Sequence, residues 1–392
     1  MKHPFSQALR LARSVLALGL LAGCSDQSQP TAADLDLIPR ADSYWSVGRA
    51  NQPFTVYTQN VYQGGDTNPI FGLDFNNIPA LVQATNVFWN QVQTSHIAER
   101  AAAVVDEIEA RRPHVVGLQE AFQFAVVDAT NGAVVGGADP LAAIEAEIAA
   151  RGLPYEVVRI QSNTSAVLPL AIDLSAGVIT QVLSVTDRIA ALRRTDVDLT
   201  GSAQGTYGAR FNLGPLTLTR GWIRMSMDFN GAPYHFVTTH LEVQGLAPIQ
   251  AGQADELLNQ VMAGLDGVTI LAGDLNSDAN GGPGVPSWTP TYDLLTGAGF
   301  TDAWIQSGQK AHNPGFTCCQ DVDLRNPYSV LDERIDLILV RSDNPSAAER
   351  EPGAMRVEIV GEETADLTPS ALWPSDHGGL VAGLRLPRGL NP

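Results

Sequence analysis

The sequence predicts one α/β domain built as a four-layer sandwich: two packed, mostly antiparallel sheets flanked by helices. Three observations carry this. Strand-like and helix-like runs alternate from Phe54 to Leu386, with no internal repeat and no second shift of composition. Two strand-like runs, Gly221–Phe229 and Tyr234–His240, lie on either side of "NGAP" and read as an antiparallel hairpin. The chain has 392 residues, 44% hydrophobic and 17% charged, enough to bury a large core and too few charges for wholesale disorder.

The first segment reads as a signal. Residues 1–23 carry Lys2, Arg10 and Arg13 and no acid, and end in the apolar run Val15–Gly23. That run is too short to span a bilayer as a helix. "LAGC", Leu21 to Cys24, resembles the bacterial lipobox, which implies cleavage before Cys24 and its lipidation. An ordinary secretory signal with an incidental cysteine is the alternative. Residues 24–50 begin with the polar run Ser25–Asp34 and read as a flexible tether, leaving residues 51–392 as the folded domain. The expected location is the bacterial cell envelope, periplasmic or at the cell surface, with the membrane reached through the lipid.

Within the domain, Phe54–Tyr62 is rich in aromatic and β-branched residues, as a strand is. Ala98–Pro113 has apolar residues at helical spacing and a proline stop. His114–Glu120 is a buried-type strand. Asp139–Gly152 places Asp at the N-cap, Pro in the first turn and Gly past the end, which punctuates a helix. Tyr155–Ile160 and Arg188–Arg194 are strands, Pro248–Leu265 is a helix, and Arg334–Val340 and Gly379–Leu386 are the last strands. Residues 161–187 and 195–220 are weakly patterned and read as long loops near a binding face.

The polar residues gather at the ends of these strands. Asn60 stands near the end of the first, Glu120 ends the second, and His240 ends "FVTTH". Asp274 ends "TILAGD", with Asn276 two residues on. Asp336 lies inside the apolar run "RIDLILV", and Asp376-His377 precede the last strand. Each alone suits a turn, since Asp and Asn bond their own backbone. Asp336 differs, because a carboxylate in an apolar strand is costly without a partner. His377 is its natural partner. Together the set suits metal-assisted phosphoester hydrolysis: hard oxygen ligands for Mg²⁺ or Mn²⁺, a histidine held by Asp as general base, and a second histidine for the phosphate or the leaving oxygen.

The order and local wording of these stretches resemble the endonuclease/exonuclease/phosphatase superfamily. Pancreatic-type deoxyribonucleases, abasic-site nucleases, bacterial sphingomyelinases and inositol-polyphosphate 5-phosphatases share its fold. "TQNVY", "VVGLQE", "TTHLE", "LAGDLNS", "ERIDLILV" and "SDHGGLVAGL" each resemble a motif of that family, in its order. The resemblance implies Glu120 as principal metal ligand, with Asn60 and Asp376 beside the metal. It implies Asp274 and Asn276 holding water and phosphate, His240 as phosphate contact or acid, and Asp336 orienting the base His377. Leu275 stands where the family often has an aromatic, and Asp187 matches a further site position only loosely. No acid partner for His240 is evident.

The family's motifs fix a reaction type and leave the substrate to the loops. A formal net charge of −18 disfavours nucleic acid and leaves room for a divalent cation. The expected activity is that of a membrane-anchored, metal-dependent phosphodiesterase for a small or lipid-derived diester, acting as a monomer. A deoxyribonuclease-like secreted nuclease and a sphingomyelinase-like phospholipase C are the alternatives, and a binding module that has lost catalysis is a third. A nuclease would need a basic groove, for which Arg188, Arg193, Arg194, Arg210, Arg220 and Arg224 are the local candidates, against ordinary surface ion pairing. The Trp-bearing stretches Asn86–Val92 and Ser370–Pro374 suit core packing better than membrane insertion. Adjacent Cys318 and Cys319 fit either a vicinal disulfide or two free thiols.

Overall fold

The computed structural model describes residues 53–229, 232–342 and 353–385. The expected signal, Cys24 and the tether lie outside the described residues, as do residues 230 and 231. The first half of the domain contains β1 (Phe54–Asn60), α1 (Asn68–Phe71), α2 (Ile78–Thr94), α3 (Ile97–Arg111), β2 (Val115–Gln119), β3 (Gln123–Asp128), β4 (Val134–Ala138), α4 (Pro140–Ala150), β5 (Tyr155–Asp173) and β6 (Val178–Arg194). Then follow β7 (Leu199–Thr206), β8 (Phe211–Leu213), β9 (Leu216–Leu218), β10 (Gly221–Phe229), β11 (Ala232–His240), α5 (Ala247–Glu256) and β12 (Val268–Asp274). The last elements are α6 (Thr291–Gly297), β13 (Thr301–Asp302), α7 (Ala303–Gln306), β14 (Asp336–Ser342), β15 (Gly353–Val360) and β16 (Gly379–Arg385).

Two sheets result. The first runs β15-β16-β1-β2-β6-β3-β4, with β5 also on β6; the second runs β13-β14-β12-β11-β10-β7. Among the described residues only β1–β2 and β11–β12 pair in parallel. β1, β2 and β12 are buried at every position, as strands covered on both faces must be. Val56, Val115, Ile189 and Ala382 of the first sheet meet Ile223, Phe236, Ile270 and Ile338 of the second in one core. Outside the first sheet, Val104, Val105 and Ile108 of α3 and Ile144 and Ile148 of α4 cover Val116, Leu118 and Leu192. Outside the second, Leu295 of α6 and Leu257 just past α5 cover Val237, Leu271 and Leu339. The layers are therefore helix, sheet, sheet, helix, driven by apolar burial on both faces of each sheet. Among the described residues no helix is long and apolar enough to cross a membrane.

Several expected elements take the expected form for the expected reason. Asp139 caps α4 by accepting a hydrogen bond from the Ala142 amide at 3.0 Å. β10 and β11 form the antiparallel hairpin. Phe88, Trp89 and Trp373 are buried. Other expectations need correction. Residues 161–187 are no loop: β5 and β6 form one long antiparallel hairpin. From Thr164 to Leu168 exposed and half-buried positions alternate, and Pro169 interrupts the apolar run Ala166–Ile172, which argues against a strand in the sequence alone. Residues 195–220 likewise contain β7 and the ribbon β8–β9. The helix expected to run through Leu265 ends at Glu256 and passes into a π-helical turn, Leu257–Val261. Helix α2 was not anticipated; Leu81, Thr85, Phe88, Trp89 and Val92 form its buried face.

Candidate active site

The second sheet sets three functional side chains in a row. In register, His240 of β11 lies beside Asp274 of β12, and Asp274 lies beside Asp336 of β14. Each stands at the end of its strand, where the ladder stops and the side chain is free to face a ligand. His377, in the turn before β16, reaches across from the first sheet. Its Nδ1 lies 2.8 Å from Asp336 Oδ2. Asp336 is fully buried, with its Oδ1 left without a hydrogen-bond partner. Burial alone would push the His377 pKa down; Asp336, Asp376 and Asp274 outweigh it and hold the ring well above the ordinary histidine value. A carboxylate at Nδ1 fixes the hydrogen there and leaves Nε2 as the basic nitrogen.

Asp274 is held from three sides. Asn60 Nδ2 donates to its Oδ2 at 3.0 Å, the Asn276 amide donates to its Oδ1 at 2.9 Å, and His240 Nε2 is 3.4 Å away. Burial, with Asp336 adding and His377 opposing, pushes its carboxyl up to about 7. The bond to Asn276 makes an Asx turn, so the Asp-Leu-Asn spacing serves turn and site at once. The strand runs through Gly273 to Asp274, and the bend comes at Asn276, whose φ is +49°. Gly273 has φ +155°, and a side chain there would run into the Thr239 carbonyl. Tyr62 and Glu120, with φ of 60° and 53°, also sit in the left-handed region just past strand ends. Such residues cost about 1–2 kcal/mol each and gather where a site demands their geometry.

Asn60 is fully buried, and its amide is engaged at both ends, Oδ1 by the Tyr62 amide and Nδ2 by Asp274. Glu120 Oε2 accepts from the Gln63 amide at 2.9 Å. Burial pushes Asp376 up to about 7, with His377 opposing and the charge of Glu120 adding. Buried Arg100 is directed to the Val61 and Tyr62 carbonyls and stacks on the Tyr62 ring at 5.4 Å. Glu120 and Asp376 thus form an acid pair of hard oxygen donors, which suits a divalent cation. Oxygen and ring-nitrogen atoms of Asp274, Asp336 and His377 also fall within 4.8 Å of one another. There the His377 Nδ1 is already engaged by Asp336.

His240 Nδ1 faces the Arg220 guanidinium at 3.1 Å. Arg220 also reaches Glu242 at 3.3 Å and Asp187 at 3.6 Å. Asp187 accepts from Asn163 Nδ2, and burial, with Arg220 opposing, pushes it up to about 6. Arg220, in the sequence only one of six candidates for a basic groove, lies at the site behind His240. Asp187 does lie at the site, one residue removed from His240. The other arginines of that expected patch divide differently: Arg188, Arg193 and Arg194 pair with Asp139, Glu156 and Asp196. Cys318 and Cys319 are joined as a disulfide, with Cys319 Sγ 3.9 Å from His377 Nε2.

Comparison with known proteins agrees with this fold. The model of the Endonuclease/Exonuclease/phosphatase family matches residues 84–377. A family protein from Leptotrichia buccalis superposes with a TM-score of 0.50 at 13% identity, over 85% of this chain and 100% of that one. TDP2 of D. rerio, solved with a single-strand DNA product, superposes with a TM-score of 0.50 at 14% identity, over 86% and 100%. Comparison with curated proteins returns no match. The likeness to solved structures shows the shared fold, and the family match covers most of the chain and runs through His377. This chain belongs to the endonuclease/exonuclease/phosphatase family of phosphoester hydrolases.

Proposed function

We propose that this protein is an exported, metal-dependent phosphodiesterase, anchored to the membrane through Cys24 and acting on a small or lipid-derived diester. The observation that carries the chemistry is the Asp336–His377 pair beside Asp274. His377 Nε2 accepts a proton from the attacking water, and Asp336 holds the ring in the required tautomer. Asn60 and the Asn276 amide keep Asp274 turned toward the same space. Asn276 Nδ2, held by the Leu241 carbonyl at 3.1 Å, and His240 Nε2 supply contacts for a phosphoryl oxygen. Glu120 and Asp376 are the residues that would hold the cation, Mg²⁺ or Mn²⁺, whose contribution is neutralisation of phosphoryl charge. Asn60 sits closer to Asp274's support than to a ligand's role, since both ends of its amide are engaged.

The acidic surface and the ion-paired arginines favour a small or lipid-derived diester over nucleic acid. A substrate panel tests this: bis-p-nitrophenyl phosphate, p-nitrophenyl phosphate, plasmid DNA, sphingomyelin and inositol phosphates. The diester or sphingomyelin should be turned over fastest. Dominant cleavage of DNA, or of the monoester, contradicts the substrate class. The anchor is tested separately, by fractionation: Cys24→Ala should leave the envelope, and a variant that stays there contradicts it.

A further inference from the structure

The nitrogen that His240 turns away from the site meets a guanidinium instead of an acid. Arginine has five N–H donors, no acceptor, and stays protonated in proteins. With an Arg220 nitrogen 3.1 Å from Nδ1, that ring nitrogen must offer its lone pair. A neutral imidazole then carries its one hydrogen on Nε2. That hydrogen points to the site, where Asp274 Oδ2 lies at 3.4 Å. Asn276 Nδ2, at 3.0 Å from Nε2, gives one of its two hydrogens to the Leu241 carbonyl; with Nε2 protonated, its second hydrogen and the His240 N–H stand side by side for a ligand oxygen. A second proton on His240 would sit at Nδ1, directly against the guanidinium. Burial, Arg220 and the nearby His377 all oppose it.

Arg220 is not free to turn away. Glu242 and Asp187, both buried, hold it from two sides, and its carbonyl accepts from the Tyr207 amide at 2.9 Å. Its neighbour Gly221 is held in turn by the Thr239 hydroxyl, next to His240.

We propose that Arg220 is a positioning residue that locks His240 as a neutral Nε2–H donor, so that His240 binds a phosphoryl oxygen and does not protonate the leaving group. This rests on the phosphoester reading above. It makes a statement about substrates: without a histidine acid on the departing side, turnover depends on the leaving group's own acidity. Diesters that expel an aryl oxide are then favoured over those that expel a simple alkoxide, so bis-p-nitrophenyl phosphate should be turned over faster than sphingomyelin.

Two readouts decide it. In ¹⁵N-histidine-labelled protein, with His240 assigned by its loss in His240→Gln, Nδ1 should resonate as an unprotonated nitrogen and Nε2 as a protonated one. This should hold at about pH 5.5, where an ordinary histidine is charged. Arg220→Met should release the ring to take a second proton there, and Arg220→Lys, also a pure donor, should restore the lock. A wild-type His240 that is protonated at Nδ1 overturns the proposal whether or not any substrate is found. The second readout is kinetic. His240→Ala should slow bis-p-nitrophenyl phosphate and diphenyl phosphate alike, by about 10²-fold, as loss of one donor to the transition state does. A loss confined to diphenyl phosphate, the poorer leaving group, identifies a proton donor and overturns it. A wild-type protein that hydrolyses neither ester contradicts the phosphoester reading, while the nuclear resonance result still decides the lock.

Discussion

Two histidines flank Asp274 from opposite sides, with Nε2 at 3.9 Å for His377 and 3.4 Å for His240. Both are buried, and burial alone would keep both neutral. Their far nitrogens face opposite partners. His377 has the Asp336 carboxylate at Nδ1 and is driven toward holding a proton. His240 has the Arg220 guanidinium there and is driven away from one. One residue type therefore yields a base and a fixed donor within a single site. The group behind each ring, more than the ring itself, assigns the role.

The largest effect should come from removing the base. His377→Ala is expected to lower kcat by roughly 10³–10⁴-fold on the best diester, with the fold retained. Wild-type turnover in that variant would end the comparison. The pH profile sharpens it. His377 must be neutral to accept a proton, so the rate should fall as pH drops through its raised pKa. Nuclear resonance titration of His377 in the protein without metal should place its pKa above the ordinary histidine value, and the rate limb of the cation-loaded enzyme should lie below that pKa. His240 should contribute no limb. A second limb that disappears in His240→Gln would show that it titrates.

The smallest effect concerns a third histidine, at the other end of the same strands. His114 accepts from the Thr55 amide at 2.9 Å and stacks on Phe54 at 4.7 Å. Burial, with Arg194 adding, pushes its pKa down to about 3. The unfolded chain takes a proton near 6.5 that the folded chain refuses, so stability is present above that pH and falls as pH drops toward 3. His114→Gln should flatten this slope, by about 2 kcal/mol at about pH 5 in urea unfolding. Identical slopes would show that the folded ring takes the proton after all.

Much of the site was legible because its residues stand in short motifs at strand ends. A carboxylate such as Asp336 inside an apolar strand announces a buried partner, and His377 was the nearest candidate. α3 and α4 were legible from apolar spacing and from the Asp139 cap. Arg220 was not, because no motif contains it. It stands in a weakly patterned segment, and its partners Asp187, His240 and Glu242 come from other elements. The β10–β11 hairpin sets Arg220 beside His240 and Glu242, and Asp187 reaches it from β6 of the other sheet. The β5–β6 hairpin was not legible either, since its apolar run Ala166–Ile172 is interrupted by Pro169 and the rest is polar with one exposed face. The orientation of the Asn60 amide depends on the Tyr62 backbone and on Asp274, 214 residues away, which local wording does not encode.

The central claim is that the carboxylates and His377 act together as a cation-dependent hydrolytic site. The direct measurement is hydrolysis of bis-p-nitrophenyl phosphate by the full chain after exhaustive chelation, then with Mg²⁺ or Mn²⁺ restored, alongside Glu120→Gln and His377→Ala. The account predicts activity that vanishes on chelation, returns with the cation in the wild type, and returns in neither variant at the same cation concentration. Undiminished activity in the chelated protein, or full recovery in either variant, would contradict it.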